Sequence, residues 1–193
     1  MPIQSIKILR TDLLSDNKYL LKKITYEYLD KEGLRQVQQR EVYDRGNGAV
    51  ILLYNTANRS VILTRQFRLP TFVNGNESGI LIEACAGLLD KDNPEDAIRR
   101  ETEEETGYKV HTIQKVLEAY MSPGSVTEIL YFFIAEYNAA MKVAEGGGLP
   151  EEQENIDVLE LPFDEAFRMT RNGGIKDAKT ILLLQHLRLE NIL

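Results

Sequence analysis

Residues 87–108 read GLLDKDNPEDAIRRETEEETGY, and this stretch decides the fold of the chain. It predicts a helix over Pro94–Thr106, because Asn93 is a good N-cap, proline is favoured at the first helical position and Gly107 suits the left-handed residue that ends a helix. The predicted helix carries many carboxylates, which on most helices form a charged face turned to solvent. Their positions decide whether this helix is a surface helix or part of a site.

The helical periodicity places three of these carboxylates on the inward face. At about 100° per residue, the apolar side chains Ala97 and Ile98 define that face. Glu101, Glu104 and Glu105 fall on the same arc, three or four residues apart, where like charges destabilise a helix. Inward carboxylates of one sign require a cation, and oxygen ligands favour Mg²⁺ or Mn²⁺ over zinc. The pattern therefore predicts a metal site.

The same stretch resembles the Nudix box, whose usual form is G-x5-E-x7-R-E-U-x-E-E-x-G-U, with U a bulky apolar residue. The matching positions are Gly87, Arg100, Glu101, Glu104, Glu105 and Gly107. The sequence departs from the box at three points. Asn93 stands at the first glutamate, Thr102 replaces the aliphatic residue, and the central spacer is one residue short. The resemblance nevertheless identifies the chain as a member of the Nudix superfamily.

The resemblance extends over nearly the whole chain, and it is strongest to the branch of the superfamily that cleaves nucleotide sugars such as GDP-mannose. It includes YDRGNGA at 43–49, RQFR at 65–68, VNGNESG at 73–79 and YMSPG at 120–124. It implies hydrolysis of the diphosphate bond of GDP-mannose to GMP and mannose 1-phosphate. ADP-ribose or another nucleotide sugar is the nearest alternative substrate, and a sensor that binds nucleotide sugars without cleaving them is the alternative from another class.

The chain predicts an α+β fold in two parts. Residues 1–44 predict a small antiparallel sheet, which is too small to be stable alone. For residues 45–193 the resemblance implies a Nudix-type α/β/α sandwich with a mixed sheet. Strands are predicted at 5–13, 19–29, 34–43, 49–54, 60–67, 80–85, 110–120, 127–137 and 156–161, and helices at 94–106, 163–171 and 177–189.

The resemblance also implies a metal-binding set. Glu101 and Glu105 would bind Mg²⁺, for which Mn²⁺ could substitute, together with the backbone carbonyl of Ala86. Glu104 would bind the metal or support one of its ligands. Arg100 would hold the carboxylates in place by pairing with one of them, for instance Glu104.

A general base is expected on the acidic loop 138–155, which is too long to be an ordinary connection. Glu154 aligns best with the loop glutamate of the family and would act as base and contact the metal. Glu128 is the second candidate. The glycines at 146–148 would supply a hinge, although a solvated insertion would have the same composition.

Cations and polar groups are needed for the substrate, and the resemblance supplies them by position. Arg68 and Lys179 match phosphate and nucleotide-sugar contacts, and Arg40 and Glu41 match contacts to guanine and ribose. Lys18 stands where the family has an aromatic residue. The full set of expected substrate positions is Lys18, Gln39, Arg40, Glu41, Arg68, Ala86, Gly87, Leu88, Glu105, Glu128, Gln153, Glu154 and Lys179.

Composition limits the other possibilities. The 193 residues carry a net charge of −7, which argues against a nucleic-acid binder. No apolar run approaches the roughly 20 residues that cross a membrane, and the N-terminal residues do not resemble a signal peptide. The single cysteine, Cys85, is expected to be buried, and the cytoplasm is the expected location. The family pairs two chains, so we expect a homodimer that exchanges the sheet of residues 1–44.

Overall fold

The computed structural model describes residues 4–89, 91–149, 151 and 154–193. The chain divides into two compact units. The first consists of the described residues up to Asn47 together with Tyr120–Ile129, and the second of Gly48–Ala119 and Leu130–Leu193. Among the described helices, none is long and apolar enough to cross a membrane.

The first unit contains a three-stranded antiparallel sheet, as the sequence predicts. Its strands are β1 (Gln4–Asp16), β2 (Leu20–Leu29) and β3 (Arg35–Asp44), in that order. The turn between β2 and β3 is closed by the Asp30 carboxylate, which accepts backbone N–H bonds from two residues of the turn. Gly33 supplies the positive φ of 79° that this turn requires.

The second unit is built on a seven-stranded mixed sheet. Its strands are β4 (Gly48–Asn55), β5 (Ser60–Phe67), β6 (Ile80–Glu83), β7 (Cys85–Leu88), β8 (Gln114–Tyr120), β9 (Ile129–Glu136) and β10 (Asp157–Pro162). The order is β10-β5-β4-β9-β8, with β6 paired to β5 and β7 to β4. Strands β4 and β9 are parallel, and β5 is antiparallel to both of its neighbours in this order.

Helices α2 (Pro94–Thr106), α3 (Phe163–Asn172) and α4 (Ala178–Leu189) pack on this sheet, and the short helix α1 (Leu69–Val73) lies between β5 and β6. Strand β4 contacts both α2 and α4. Ile51 on β4 belongs to the buried cluster that includes Ile98 of α2, whereas the neighbouring Leu52 is fully buried on the opposite face, since side chains alternate along a strand. The predicted α+β fold of sandwich type is confirmed.

Most of the predicted strands and helices are present in the structure. It differs from the prediction in three places, each for a physical reason. The region predicted as one strand at 80–85 is two strands, because the chain leaves β5 after Glu83 and joins β4 at Cys85. Strand β8 begins at Gln114 and not at Val110, because Val110 is buried outside the sheet ladder. Helix α1 was not predicted, because its five residues bury none of their side chains and show no helical pattern.

Candidate active site

Helix α2 is positioned by the signals that its sequence carries. The Asn93 side chain accepts N–H bonds from Glu95 and Asp96, and Gly107 ends the helix with a φ of 75°. The carboxylates of α2 differ in exposure. Glu105 is 3% exposed, and the side chains of Glu101 and Glu104 are 16% and 25% exposed, against 42% for Glu103 on the other face. Glu105 is therefore buried as predicted, and Glu101 and Glu104 are partly buried at the edge of the same face.

Strand β7 lies directly against the Glu101 carboxylate. A Cβ atom at Gly87 would lie 2.2 Å from Glu101 Cδ, so that only glycine permits this approach. Ala86 precedes Gly87 on the same strand. The glycine at the start of the Nudix box thus lets the backbone beside Ala86 reach the carboxylates.

Arg100 bridges two carboxylates of α2. Its Nη2 atom lies 3.0 Å from Glu101 Oε1 and its Nη1 atom 3.0 Å from Glu104 Oε2. Asp92 lies 3.9 Å from its Nε atom. Arg100 is therefore in position to hold Glu101 and Glu104 in fixed orientations.

Glu105 has the character of a metal ligand. Its Oε2 atom is buried and has no hydrogen-bond partner among the described residues, and a bare buried carboxylate oxygen is unfavourable. Burial raises the pKa of Glu105 to about 7, and the charges of Glu101 and Glu154 act in the same direction. Burial also raises the pKa of Glu101 to about 7. A bound cation would relieve both effects.

The donor set suits Mg²⁺ better than an ion that needs a complete protein cage. Over the described residues, no three His, Cys, Asp or Glu side chains form a ready ligand group. Mg²⁺ usually keeps several waters and takes only one or two carboxylates from the protein. Glu105, Glu101 and the Ala86 carbonyl fit that requirement.

The raised pKa values predict how metal binding depends on pH. The folded, metal-free protein holds more protons than the unfolded chain between pH 4.5 and about 7, so these two groups make it less stable as the pH rises through that window. Metal binding must displace those protons. We expect Mg²⁺ to raise the melting temperature more at pH 8 than at pH 6, measured by differential scanning fluorimetry against EDTA. An equal increase at both pH values would contradict this assignment.

The acidic loop is fastened to the end of α2. Gly147 N–H donates to the Glu105 carbonyl over 2.8 Å, and Gly148 N–H donates to the Glu104 carbonyl over 3.2 Å. A Cβ atom at Gly146 would lie 2.5 Å from the same Glu105 carbonyl oxygen. These glycines, for which the sequence suggested a hinge, are therefore docked against the carbonyls that end the helix.

The docked segment leads to Glu154. The Glu154 Oε2 atom accepts the Leu149 N–H at 3.0 Å, and a Cβ atom at Gly148 would lie 2.3 Å from that same oxygen. The Glu154 charge raises the pKa of both Glu101 and Glu105, so it acts on the same site. Gly148 therefore makes room for the carboxylate that was predicted as the base.

Two predicted substrate contacts meet at a carboxylate that sequence reasoning missed. Arg68, which precedes α1, places Nε 2.7 Å from Glu83 Oε2. Lys179 on α4 places Nζ 2.6 Å from Glu83 Oε1 and 2.9 Å from Asp177 Oδ1. The only signal for Glu83 in the sequence is an acidic residue at the end of the apolar strand β6.

Five predicted substrate residues belong to the first unit. They are Lys18, Gln39, Arg40, Glu41 and Glu128. Arg40 and Glu41 lie on β3 and line a cavity of about 360 Å³. Ile24, Tyr26 and residues 123–127 form other walls of this cavity. A mixed polar and apolar pocket of this size can hold a planar ligand group.

The other residues of the first unit have simpler surroundings. Lys18 is exposed in the turn between β1 and β2, with Nζ 5.7 Å from the centre of the Tyr19 ring. Glu128 Oε1 lies 3.5 Å from Arg45 Nε. Gln153 lies outside the described residues. The remaining predicted positions all belong to the second unit, and they are Arg68, Ala86, Gly87, Leu88, Arg100, Glu101, Glu104, Glu105, Glu154 and Lys179.

The second unit contains inward carboxylates that a divalent cation would neutralise. It also contains Arg68 and Lys179, two positive side chains suited to a phosphate anion. This combination defines a metal-dependent hydrolase of phosphate anhydrides. Residues 44–184 match the NUDIX domain, and residues 5–43 match the GDP-mannose pyrophosphatase NudK N-terminal domain. The chain belongs to the Nudix hydrolase family, whose members generally use divalent metal ions.

The chain is also similar to bacterial relatives over nearly its whole length. A protein of Yersinia enterocolitica named GDP-mannose pyrophosphatase is 56% identical, and the match covers 98% of this chain and 99% of the relative. Proteins of the same name from Cronobacter sakazakii and Escherichia coli K12 are each 54% identical, with 98% of both chains covered.

Proposed function

We propose that this chain is a Mg²⁺-dependent pyrophosphatase that hydrolyses the diphosphate bond of GDP-mannose to GMP and mannose 1-phosphate. The full-length similarity to relatives of that name carries this proposal. The carboxylates of α2 support the metal requirement, because Glu105 is buried with an oxygen that lacks a partner among the described residues. The same carboxylates argue against a sensor, which could dispense with them.

The residues of the second unit have distinct roles in this reaction. Glu101, Glu105 and the Ala86 carbonyl would hold Mg²⁺, with Arg100 keeping the carboxylates oriented. When bound, the ion supplies charge neutralisation for the diphosphate and for the leaving group. Arg68 and Lys179 bind and orient the diphosphate, as paired cations do for phosphoryl groups. The Glu154 carboxylate takes the proton of the attacking water.

Replacing Glu154 by glutamine tests the base. We expect Glu154→Gln to lower kcat on the order of 10²-fold to 10⁴-fold with little change in KM, because general-base catalysis contributes about that much. Glu145→Gln is the matched control, since Glu145 lies on the same loop with a side chain that is 94% exposed. Steady-state kinetics of both variants decide the point. Near-normal turnover of Glu154→Gln would eliminate it as the base and turn attention to Glu128.

We further propose a homodimer that exchanges the N-terminal sheet. The three-stranded sheet leaves large apolar side chains in solvent, with Ile6 63% and Ile8 61% exposed. A second copy of the chain would cover them. The exchange would also bring Arg40 and Glu41 of one chain to the site of its partner.

The same proposal assigns the protein to the cytoplasm, with no nucleic-acid or membrane partner. The net charge of −7 would repel nucleic acids and anionic lipid surfaces. Cys85 is buried and has no second cysteine to pair with, which suits a reducing compartment.

A panel of nucleotide sugars, analysed by chromatography, tests the choice of substrate. We expect GMP to form from GDP-mannose faster than AMP forms from ADP-ribose. The opposite order would keep the mechanism and overturn the substrate. Binding without cleavage of any member of the panel would favour a sensor.

A further inference from the structure

Glu83 is a nearly buried carboxylate between two cations. Its side chain is 4% exposed, and each of its oxygens receives a different donor, Arg68 Nε at 2.7 Å and Lys179 Nζ at 2.6 Å. A carboxylate at this depth is unfavourable unless it is paired. Glu83 is thus bound to both residues at once, at the last position of β6.

These contacts leave particular donors available. Glu83 receives the Nε–H of Arg68, and the two terminal nitrogens of that guanidinium make no hydrogen bond to the described residues. The Nζ group of Lys179 directs two of its three N–H bonds to Glu83 and Asp177. The donors that remain are the two coplanar terminal nitrogens of Arg68 and one N–H of Lys179. This set suits the oxygens of a diphosphate.

The surroundings fix this arrangement. Asp177 caps α4 by accepting the Thr180 N–H, and Thr180 Oγ1 accepts the Ala84 N–H at 2.7 Å. The beginning of α4 is therefore tied to the link between β6 and β7, directly after Glu83.

We propose that Glu83 is a positioning residue that holds Arg68 and Lys179 as a pre-formed clamp for the diphosphate of the substrate. This inference rests on the proposed function, in which both cations contact the substrate. A pre-formed clamp binds more tightly because the ligand does not have to order two long side chains. Glutamine has the same shape, but its NH₂ group would face one of the two cations and release it.

Glu83 could instead weaken the binding of the substrate. Glu83 and Asp177 together cancel the two positive charges, so Glu83 could act as an anion that competes with the substrate. Removing it would then strengthen binding. The sign of the change in affinity therefore separates the two roles.

The test uses inorganic pyrophosphate, so that it does not depend on the choice of nucleotide sugar. Isothermal titration calorimetry with Mg²⁺ present gives the Kd of the full-length protein and of Glu83→Gln. We expect the Kd to rise about 10-fold to 100-fold, a loss of the size found when a partner that orients a metal ligand is removed. KM for GDP-mannose should rise in parallel, with a smaller change in kcat and an unchanged response to Mg²⁺ alone.

Glu160→Gln is the matched control, because the Glu160 carboxylate also receives two hydrogen bonds, from Ser60 and Tyr137 and from no cation among the described residues. We expect its Kd for pyrophosphate to equal that of the unaltered protein. A lower melting temperature of Glu83→Gln with an unchanged Kd would show a merely structural role. A tighter Kd would show a competing anion, and either result overturns the proposal.

A second variant covers the case in which Glu83→Gln does not fold. Glu83→Asp keeps the charge but is too short to reach both cations, and we expect an intermediate loss of pyrophosphate affinity. Adding Lys179→Met to this variant should cost less than the sum of the single changes, since both act on one clamp. Full additivity would overturn the proposal. Failure to cleave GDP-mannose would refute the proposed function and leave the pyrophosphate result standing on its own.

Discussion

Glu105→Gln should lower turnover by roughly a thousandfold or more, because a metal ion contributes several kcal/mol to the transition state of such a reaction. The same change should remove the increase in melting temperature that Mg²⁺ produces. In EDTA at pH 8 the variant should be at least as stable as the unaltered protein. Burial raises the pKa of the Glu105 carboxyl, so its ionised form destabilises the metal-free protein at this pH, and glutamine carries no charge. Kinetics and thermal melts, each with and without Mg²⁺, measure all three effects.

Glu103→Gln is the control for this prediction. Glu103 lies on the same helix, but its side chain is 42% exposed and pairs with Lys109 at 3.3 Å. We expect nearly normal turnover and a normal response to Mg²⁺. If Glu105→Gln retained its response to Mg²⁺, or if the two variants lost activity equally, the metal would not be bound by the inward face of α2.

A chain lacking residues 1–44 should be monomeric and inactive. The deletion removes the exposed apolar side chains that we expect a second copy to cover, and it removes Arg40 and Glu41. It also removes Tyr43, whose N–H donates to the Ser125 carbonyl over 2.7 Å and holds the wall of the cavity in the first unit. Light scattering coupled to size-exclusion chromatography gives the mass, and the product assay gives the activity.

Point variants separate the two causes of that loss. Ile8→Glu places a charge among the exposed apolar side chains of β1, where Ile8 is 61% exposed, and should favour the monomer. Arg40→Ala should leave the dimer intact and raise KM. A fully active monomer of the shortened chain would refute the exchanged sheet, and a dimeric Ile8→Glu variant with unchanged dissociation would exclude β1 from the interface.

Much of the candidate metal site could be predicted because its signals are local. Helix α2 begins and ends at the predicted residues, since Asn93 and Gly107 act within one turn of the chain. The burial of Glu105 follows from helical periodicity, which the sequence displays directly. The caps and the periodicity of α2 each involve residues that are only a few positions apart in the sequence.

The interactions that could not be predicted join distant parts of the chain. Glu83 and Lys179 are 96 residues apart, and no periodicity or spacing connects an acid at the end of a strand with a lysine at the start of a helix. The docking of Gly147 onto the Glu105 carbonyl is equally non-local. A run of glycines suggests freedom of the backbone, whereas here Gly146 lies so close to the Glu105 carbonyl oxygen that a Cβ atom would be 2.5 Å from it.

The most direct test of the central claim is the identity of the products formed from GDP-mannose with Mg²⁺ and with EDTA. We predict GMP and mannose 1-phosphate in equal amounts, formed only when Mg²⁺ is present. Formation of GDP and free mannose, or of GMP at the same rate in EDTA, would contradict a metal-dependent cleavage of the diphosphate bond.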